Sequence, residues 1–268
     1  MIDLRAKHAV VFGVASEDSL AWAIARTLQR AGASISLGYQ QRFKSRVWQL
    51  VRAGQVPVAF YDRCDVTRPE ELSEFFSKVP GQIDVVVHSI AFADPETFSR
   101  PISELGQEHF TESLITSSYS LIPLTRAALP RMGGGGSVIA MSYLGGQRVV
   151  ANYKLMGIAK AALEAGVREL AADVGPQGVR VNAISAGPIK TLAASQIAGF
   201  DELLACYQQV APMRRRITQD DVANLAAFLA SDLSRNITGQ TVFVDGGYSI
   251  MAAADALPAR ALARGRAA

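Results

Sequence analysis

Along this chain, short contiguous apolar runs alternate with longer stretches whose apolar positions recur every three to four residues. The contiguous runs predict strands at 8–13, 34–39, 57–62, 83–89, 136–142, 179–184 and 240–244. The periodic stretches predict amphipathic helices at 19–31, 42–53, 69–79, 104–131, 152–174 and 220–231. Strands alternating with helices imply crossover units and a parallel sheet covered on both faces. That cover explains nearly continuous apolar strands such as Ile83-Asp84-Val85-Val86-Val87. The expected fold is α/β, one doubly wound domain with a seven-stranded parallel sheet flanked by helices. No linker, repeat or charge block marks a boundary. One domain is expected over residues 1–251, followed by a flexible Ala/Arg-rich tail at 252–268.

Composition narrows this picture. At 268 residues, 49% hydrophobic and 19% charged, the chain is long and apolar enough for a large core and is not a disordered one. Lys+Arg 27 against Asp+Glu 24 leaves a net charge of +3, which is too small and too diluted to argue for nucleic acid. Cys64 and Cys206 are far apart, which excludes a disulfide scaffold. The first residues lack the apolar core of a signal peptide, and no apolar run approaches a membrane span. The expectation is a cytoplasmic protein without nucleic-acid or membrane partners.

Candidate chemistry begins at the first strand, which runs into Gly13-Val14-Ala15-Ser16-Glu17-Asp18-Ser19-Leu20-Ala21 and then an Ala-rich helix. A glycine at a strand end lets the backbone turn tightly against a pyrophosphate. The helix N-terminus beyond it offers unpaired N–H groups and a positive dipole end. The segment lacks the G-x-G-x-x-G spacing, and a tight turn alone accounts for Gly13 equally well. Strand two ends Tyr39-Gln40-Gln41-Arg42. An acidic residue there takes ribose hydroxyls, and an arginine accommodates a 2′-phosphate. Gln40 is neutral. Arg42, Lys44 and Arg46 also read as the solvated face of a helix. Asp65 fits either an adenine contact or a turn or N-cap.

Strand five ends in Ser142-Tyr143-Leu144-Gly145-Gly146, and the helix after it carries Tyr153, Met156 and Lys160. Tyr153 and Lys160 are seven apart, two helical turns, so they share a face. An ammonium beside a phenol favours phenolate character and can hold ribose hydroxyls. A surface lysine and a half-buried tyrosine are the alternative. His8, His88 and His109 have no ligand spacing, so no metal is expected. His88 and Cys206 read as packing.

These motifs together resemble the short-chain dehydrogenase/reductase superfamily, and within it the bacterial type I, NADH-dependent enoyl-acyl-carrier-protein reductases. The resemblance covers about residues 1 to 250. It is carried by Gly13-Val14-Ala15 with Ser19, His88-Ser89-Ile90-Ala91-Phe92-Ala93, Ser142-Tyr143-Leu144-Gly145-Gly146 and Met156-Gly157-Ile158-Ala159-Lys160. Ile184-Ser185-Ala186-Gly187-Pro188-Ile189-Lys190-Thr191-Leu192-Ala193 and Val244-Asp245-Gly246-Gly247 complete it. Ordinary members of the superfamily carry a tyrosine four residues before the active lysine and a serine thirteen before that tyrosine. Here those places hold Met156 and Tyr143. The enoyl reductase pattern puts the tyrosine seven before the lysine, where this chain has Tyr153.

The resemblance implies a Rossmann fold and a homotetramer. It implies hydride transfer from NADH, with NADPH left open, to the β-carbon of a trans-2-enoyl thioester of fatty acid biosynthesis, presented on acyl carrier protein. Gly13, Ser19 and Leu20 would line the pyrophosphate, Gln40 the adenosine ribose, and Asp65 with Val66 the adenine. Ile90 would touch the cofactor and Ala93 the substrate. Lys160 would hold the nicotinamide ribose, and Ile189, Lys190, Thr191, Leu192 and Ala193 the carboxamide and phosphates, through backbone groups and Thr191. Tyr153 would donate to the thioester oxygen, where enolate charge develops. Tyr143 would supply a proton path or shape the acyl pocket. Residues from about 191 to 210 would form a substrate lid. In that lid Asp201 and Glu202 stand where the family commonly carries basic residues, which weakens docking of an acidic carrier. A 3-oxoacyl, ketone or imine reductase, an accessory enoyl reductase of a dedicated pathway and a catalytically silent nucleotide-binding protein are the other readings.

Overall fold

The computed structural model describes residues 2–192, 194 and 199–252. Its elements run β1 (His8–Phe12), α1 (Leu20–Arg30), β2 (Ser34–Tyr39), α2 (Lys44–Arg52), β3 (Phe60–Arg63), α3 (Pro69–Lys78), β4 (Val85–His88) and α4 (Glu96–Ser99). Then follow α5 (Gln107–Leu114), α6 (Leu121–Ala128), β5 (Gly136–Tyr143), α7 (Lys154–Val174), β6 (Val179–Ala186), α8 (Phe200–Val210), α9 (Gln219–Ala230) and β7 (Thr241–Val244). Among the described residues the seven strands form one sheet in the order β3-β2-β1-β4-β5-β6-β7. Every neighbouring pair is parallel. The strand order reverses between β1 and β4, the crevice where doubly wound folds bind ligands. No described helix is long and apolar enough to cross a membrane.

The apolar strands read from sequence are explained by burial on both faces. Alternate side chains of one strand enter different cores. Ala9 and Val11 of β1 pack with Trp22, Ile24 and Leu28 of α1 and with Val222, Ala226 and Leu229 of α9. Val10 and Phe12 pack with Phe75 and Phe76 of α3, Leu124 of α6 and Leu163 and Val167 of α7. The same split recurs in β5, where Ile139 and Met141 face one core and Val138 and Ala140 the other.

Two expectations change. Residues 104–131 are not one helix. A π-helical segment, Ile115–Tyr119, separates α5 from α6. Pro123 has no N–H to offer the Tyr119 carbonyl, so the α-ladder breaks there. The freed segment is tied down by serines: Ser117 Oγ bonds both the N–H and the carbonyl of Phe92 at 2.9 Å. The third strand begins at Phe60 rather than at 57, since Pro57 cannot donate to a sheet ladder. Beyond Ala252 the expected tail lies outside the described residues.

Gly13, at the end of β1, has φ +103°, and a Cβ there would collide with the backbone carbonyl of Ser89 at the end of β4. Gly13→Ala therefore meets both a left-handed backbone penalty and a rigid neighbour. A loss of about 2–4 kcal/mol in unfolding free energy is expected, measured by denaturant titration. A loss below about 0.5 kcal/mol would show that the strand ends can separate freely.

Candidate active site

A cavity of ≈ 460 Å³ opens at the carboxyl ends of the strands, across the point where their order reverses. Each segment singled out from sequence contributes to its wall. The turn after β1 brings Gly13, Ser19 and Leu20, and β2 and β3 bring Gln40, Asp65 and Val66. The ends of β4 and β5 bring Ile90, Ala93 and Tyr143. Tyr153 and Lys160 come from the start of α7, and Ile189, Thr191 and Leu192 follow β6. Lys190 is not among the lining residues; it is exposed, and its Nζ pairs with Asp201 at 3.0 Å. That pairing balances one of the two acids read as repelling a carrier. Ala193 lies outside the described residues, as does most of the first part of the expected lid, residues 195–198. The rest of the lid is α8, whose Phe200 and Leu203 line the cavity.

Local structure explains these placements. Ser19 caps α1: its hydroxyl accepts from the Trp22 N–H at 3.3 Å and donates to the Ser16 carbonyl at 2.7 Å. Asp65 Oδ1 accepts from Thr67 N and Oγ1 at 3.0 and 2.7 Å, so the turn role left open for it is realised while it lines the cavity. The three basic residues after strand two separate. Lys44 and Arg46 are exposed on α2. Arg42 lines the cavity, with its guanidinium 4.8 Å from the Phe43 ring centre and 5.1 Å from that of Phe92.

Tyr153 is the N-cap of α7 rather than part of its first turn, and it sits between Asn152 and Lys154, both of positive φ. Its ring lies against Gly145, where a Cβ would overlap the ring edge. The Tyr143 and Tyr153 rings meet edge to face at 4.8 Å. Phe98 and Met156 pack with them as an apolar cluster. Tyr143 Oη is buried without a hydrogen-bond partner among the described residues. In a cavity wall, such an orphaned hydroxyl is a group waiting for a ligand. Lys160, 4% exposed, donates from Nζ to the Met141 carbonyl of β5 at 2.7 Å.

Burial dominates the electrostatics here. It pushes both phenols, Tyr153 and Tyr143, well above the ordinary tyrosine range, and it pushes the Lys160 ammonium down to about 8. Burial therefore acts against the phenolate character expected for Tyr153. The lysine bonds a backbone carbonyl, and burial is the largest influence on the phenol. Beneath the site, His88 is fully buried and bonds Ser120 Oγ from Nε2 at 2.8 Å; burial, with Lys160 nearby, pushes it down to about 3. Packing, the reading made for His88, is what it does. Cys206 is instead exposed, because the buried face of α8 is Phe200, Leu204, Tyr207 and Val210.

Sequence reasoning passed over Ser142 and Glu164. Ser142 Oγ donates to Glu164 Oε1 at 2.6 Å, and both are buried. Glu164 carried a signal, being a charged residue on the apolar stripe of α7 beside Leu163 and Val167.

Comparison with known proteins agrees with this geometry. A family model described as enoyl-(acyl carrier protein) reductase matches residues 13–249. The chain is 44% identical over 256 residues to an NADH enoyl-[acyl-carrier-protein] reductase of Synechocystis, covering 94% of this chain and 99% of that one. A crystal structure of the Bacillus cereus enoyl-acyl carrier protein reductase with NADP+ and indole naphthyridinone superposes with a TM-score of 0.91 at 41% identity, covering 94% of this chain and 100% of that one. The Anaplasma phagocytophilum reductase in complex with NAD superposes at 0.88 and 40% identity, covering 94% and 97%.

The buried histidine makes an acid-stability prediction. Its folded pKa of about 3 lies below the ordinary 6.5. Between those values the unfolded chain binds the extra proton, so stability falls as pH falls, by at most about 1.4 kcal/mol per pH unit. In His88→Gln the acid limb between pH 6.5 and 4 should be flatter by up to that slope in denaturant titrations. Equal slopes in the two proteins would mean that His88 is protonated in the fold.

Proposed function

The chain belongs to the enoyl-(acyl carrier protein) reductase family, and on that premise we propose that it uses NADH to reduce the carbon–carbon double bond of trans-2-enoyl thioesters in fatty acid biosynthesis. The observation that carries this reading is the meeting of Tyr143, Tyr153 and Lys160 in one cavity, with Met156 standing four residues before the lysine. A ketone reductase of the superfamily needs a tyrosine at that place.

The residues present fit the cofactor. The cavity spans the sheet's reversal point, Gly13 keeps the strand-end turn free of a side chain, and a buried amine faces the cavity. NADH, when bound, supplies the hydride for the β-carbon of the substrate. Gly13, Ser19 and Leu20 bind its pyrophosphate, Gln40 its adenosine ribose, and Asp65 with Val66 its adenine. Ile90, Ile189, Thr191 and Leu192 wall the nicotinamide end, and Lys160 holds the nicotinamide ribose. Tyr153 keeps its proton on Oη at neutral pH, because burial holds the phenol above its ordinary range. From there it donates a hydrogen bond to the thioester oxygen, where negative charge develops. Tyr143, whose hydroxyl has no partner among the described residues, and Ala93 shape the acyl end.

The reading extends to assembly and partners. Phe110, Ile115, Tyr119, Ile122 and Ile158 expose apolar surface along α5, the π segment, α6 and α7. Such a patch suits the faces of a homotetramer. The substrate arrives on acyl carrier protein in the cytoplasm. Glu202 on α8, beside an Asp201 that Lys190 balances, lowers the preference for the carrier form relative to family members with a basic lid.

Tyr153→Phe should lower kcat by roughly 10²–10³ with NADH Kd unchanged within about twofold. Lys160→Ala should raise NADH Kd by roughly 10–100-fold, the loss of one charge-assisted bond. Steady-state rates on crotonyl thioester and fluorescence titration of NADH test both. Full turnover by Tyr153→Phe would remove it from the chemistry. For the assembly, Tyr119→Glu with Ile122→Glu should reduce the sedimenting mass at micromolar concentration, and an unchanged mass would move the interface elsewhere.

A further inference from the structure

Glu164 is a carboxylate with 4% of its surface exposed. A charge so deeply buried persists only where hydrogen bonds and a countercharge offset its desolvation. Its Oε1 accepts from Ser142 Oγ at 2.6 Å and its Oε2 from Gln147 Nε2 at 2.8 Å. Those two donors bracket the turn that carries Tyr143 and Gly145. The carboxylate reaches them across Gly146, where a Cβ would stand 3.2 Å from Glu164 Oε1 and 3.0 Å from the Lys160 backbone. Glu164 also lies one turn along α7 from Lys160, within the same buried region.

The groups that face Lys160 come from several elements. β5 offers the Met141 carbonyl, and Tyr143 at its end shares the cavity wall. β4 offers His88, a neutral ring on which the Lys160 charge acts, and Tyr153 at the start of α7 shares the cavity wall with the lysine. None of these is an anion at neutral pH. We propose that Glu164 is the positioning residue of this site: it is the buried countercharge of Lys160 and, through Ser142 and Gln147, the clamp that fixes the Tyr143 turn against α7. The Glu164 charge favours the ammonium form of Lys160, opposing the larger effect of burial. Removing that charge without removing volume should leave the amine neutral at a lower pH.

This inference rests on the reading of Lys160 as the ribose-holding residue, and the experiment separates the two. NADH Kd is measured by fluorescence from pH 6 to 9.5 for the wild-type protein, Glu164→Gln and Ser142→Ala, with kcat on crotonyl thioester alongside. Wild-type affinity should weaken as pH rises through about 8. In Glu164→Gln the break should move down by about one pH unit, so that at pH 8 NADH binds several-fold more weakly than to wild type. Ser142→Ala, which keeps the charge but loosens the turn, should keep the wild-type break and lose several-fold in kcat. A break shared by wild type and Glu164→Gln overturns the inference and leaves the Lys160 reading standing. No break in the wild-type protein overturns both. If Glu164→Gln does not fold, Ser142→Ala decides: reduced kcat with unchanged NADH affinity supports the clamp, and wild-type kcat overturns it.

Discussion

Burying an ammonium group costs several kcal/mol unless its protons find acceptors. The bond from Lys160 Nζ to the Met141 carbonyl meets that demand, and it requires α7 to lie close over the end of β5. The close approach is built from glycines. A Cβ on Gly157 would stand 2.8 Å from the Gly145 carbonyl, and one on Gly145 would overlap the Tyr153 ring. The motif residues around the lysine thus serve one purpose. They bring a helix start against a strand end, and with it the Tyr143 and Tyr153 rings, whose centres lie 4.8 Å apart.

The same desolvation acts with opposite sign on the two kinds of group gathered there. It favours the neutral phenol and disfavours the ammonium. A site that needs a neutral donor and a cation side by side obtains the first from burial alone. For the second it needs acceptors and nearby negative charge. The asymmetry explains why the support beneath the cavity is concentrated on the lysine side, in Met141, Ser142, Gln147 and Glu164.

The sheet was legible in the sequence because burial on both faces writes itself as continuous apolar runs, such as Val85-Val86-Val87. The parallel order follows from the crossovers between those runs. Most of the cavity-lining residues were legible because they sit at or just past strand ends, at Gly13, Tyr143 and Ile189. The break in the helix after 104 was not, because the 3.6 period continues through Ile115–Tyr119 and only Pro123 marks the fault. Arg42 was ambiguous because only the tertiary position of Phe92, fifty residues away, separates it from Lys44 and Arg46. Lys190 read as a backbone contact in its motif, and its side chain pairs with Asp201, which no local pattern encodes.

The π segment also constrains the chain by count. A helical turn closed by five residues holds one more than the α-helix repeats through. Shortening Ile115–Tyr119 by a single residue would restore an even helix and leave everything after it in its present register, because the wide turn absorbs that residue. Leu121 and Leu124 would keep the core they fill. Thr116 and Ser117, which meet the cavity and the Phe92 backbone, would lose their register with the end of β4. The spacing between Gly106 and Pro123 therefore belongs to the site as much as any side chain does. A relative with a gap there would need a differently shaped wall even if it kept both tyrosines and the lysine.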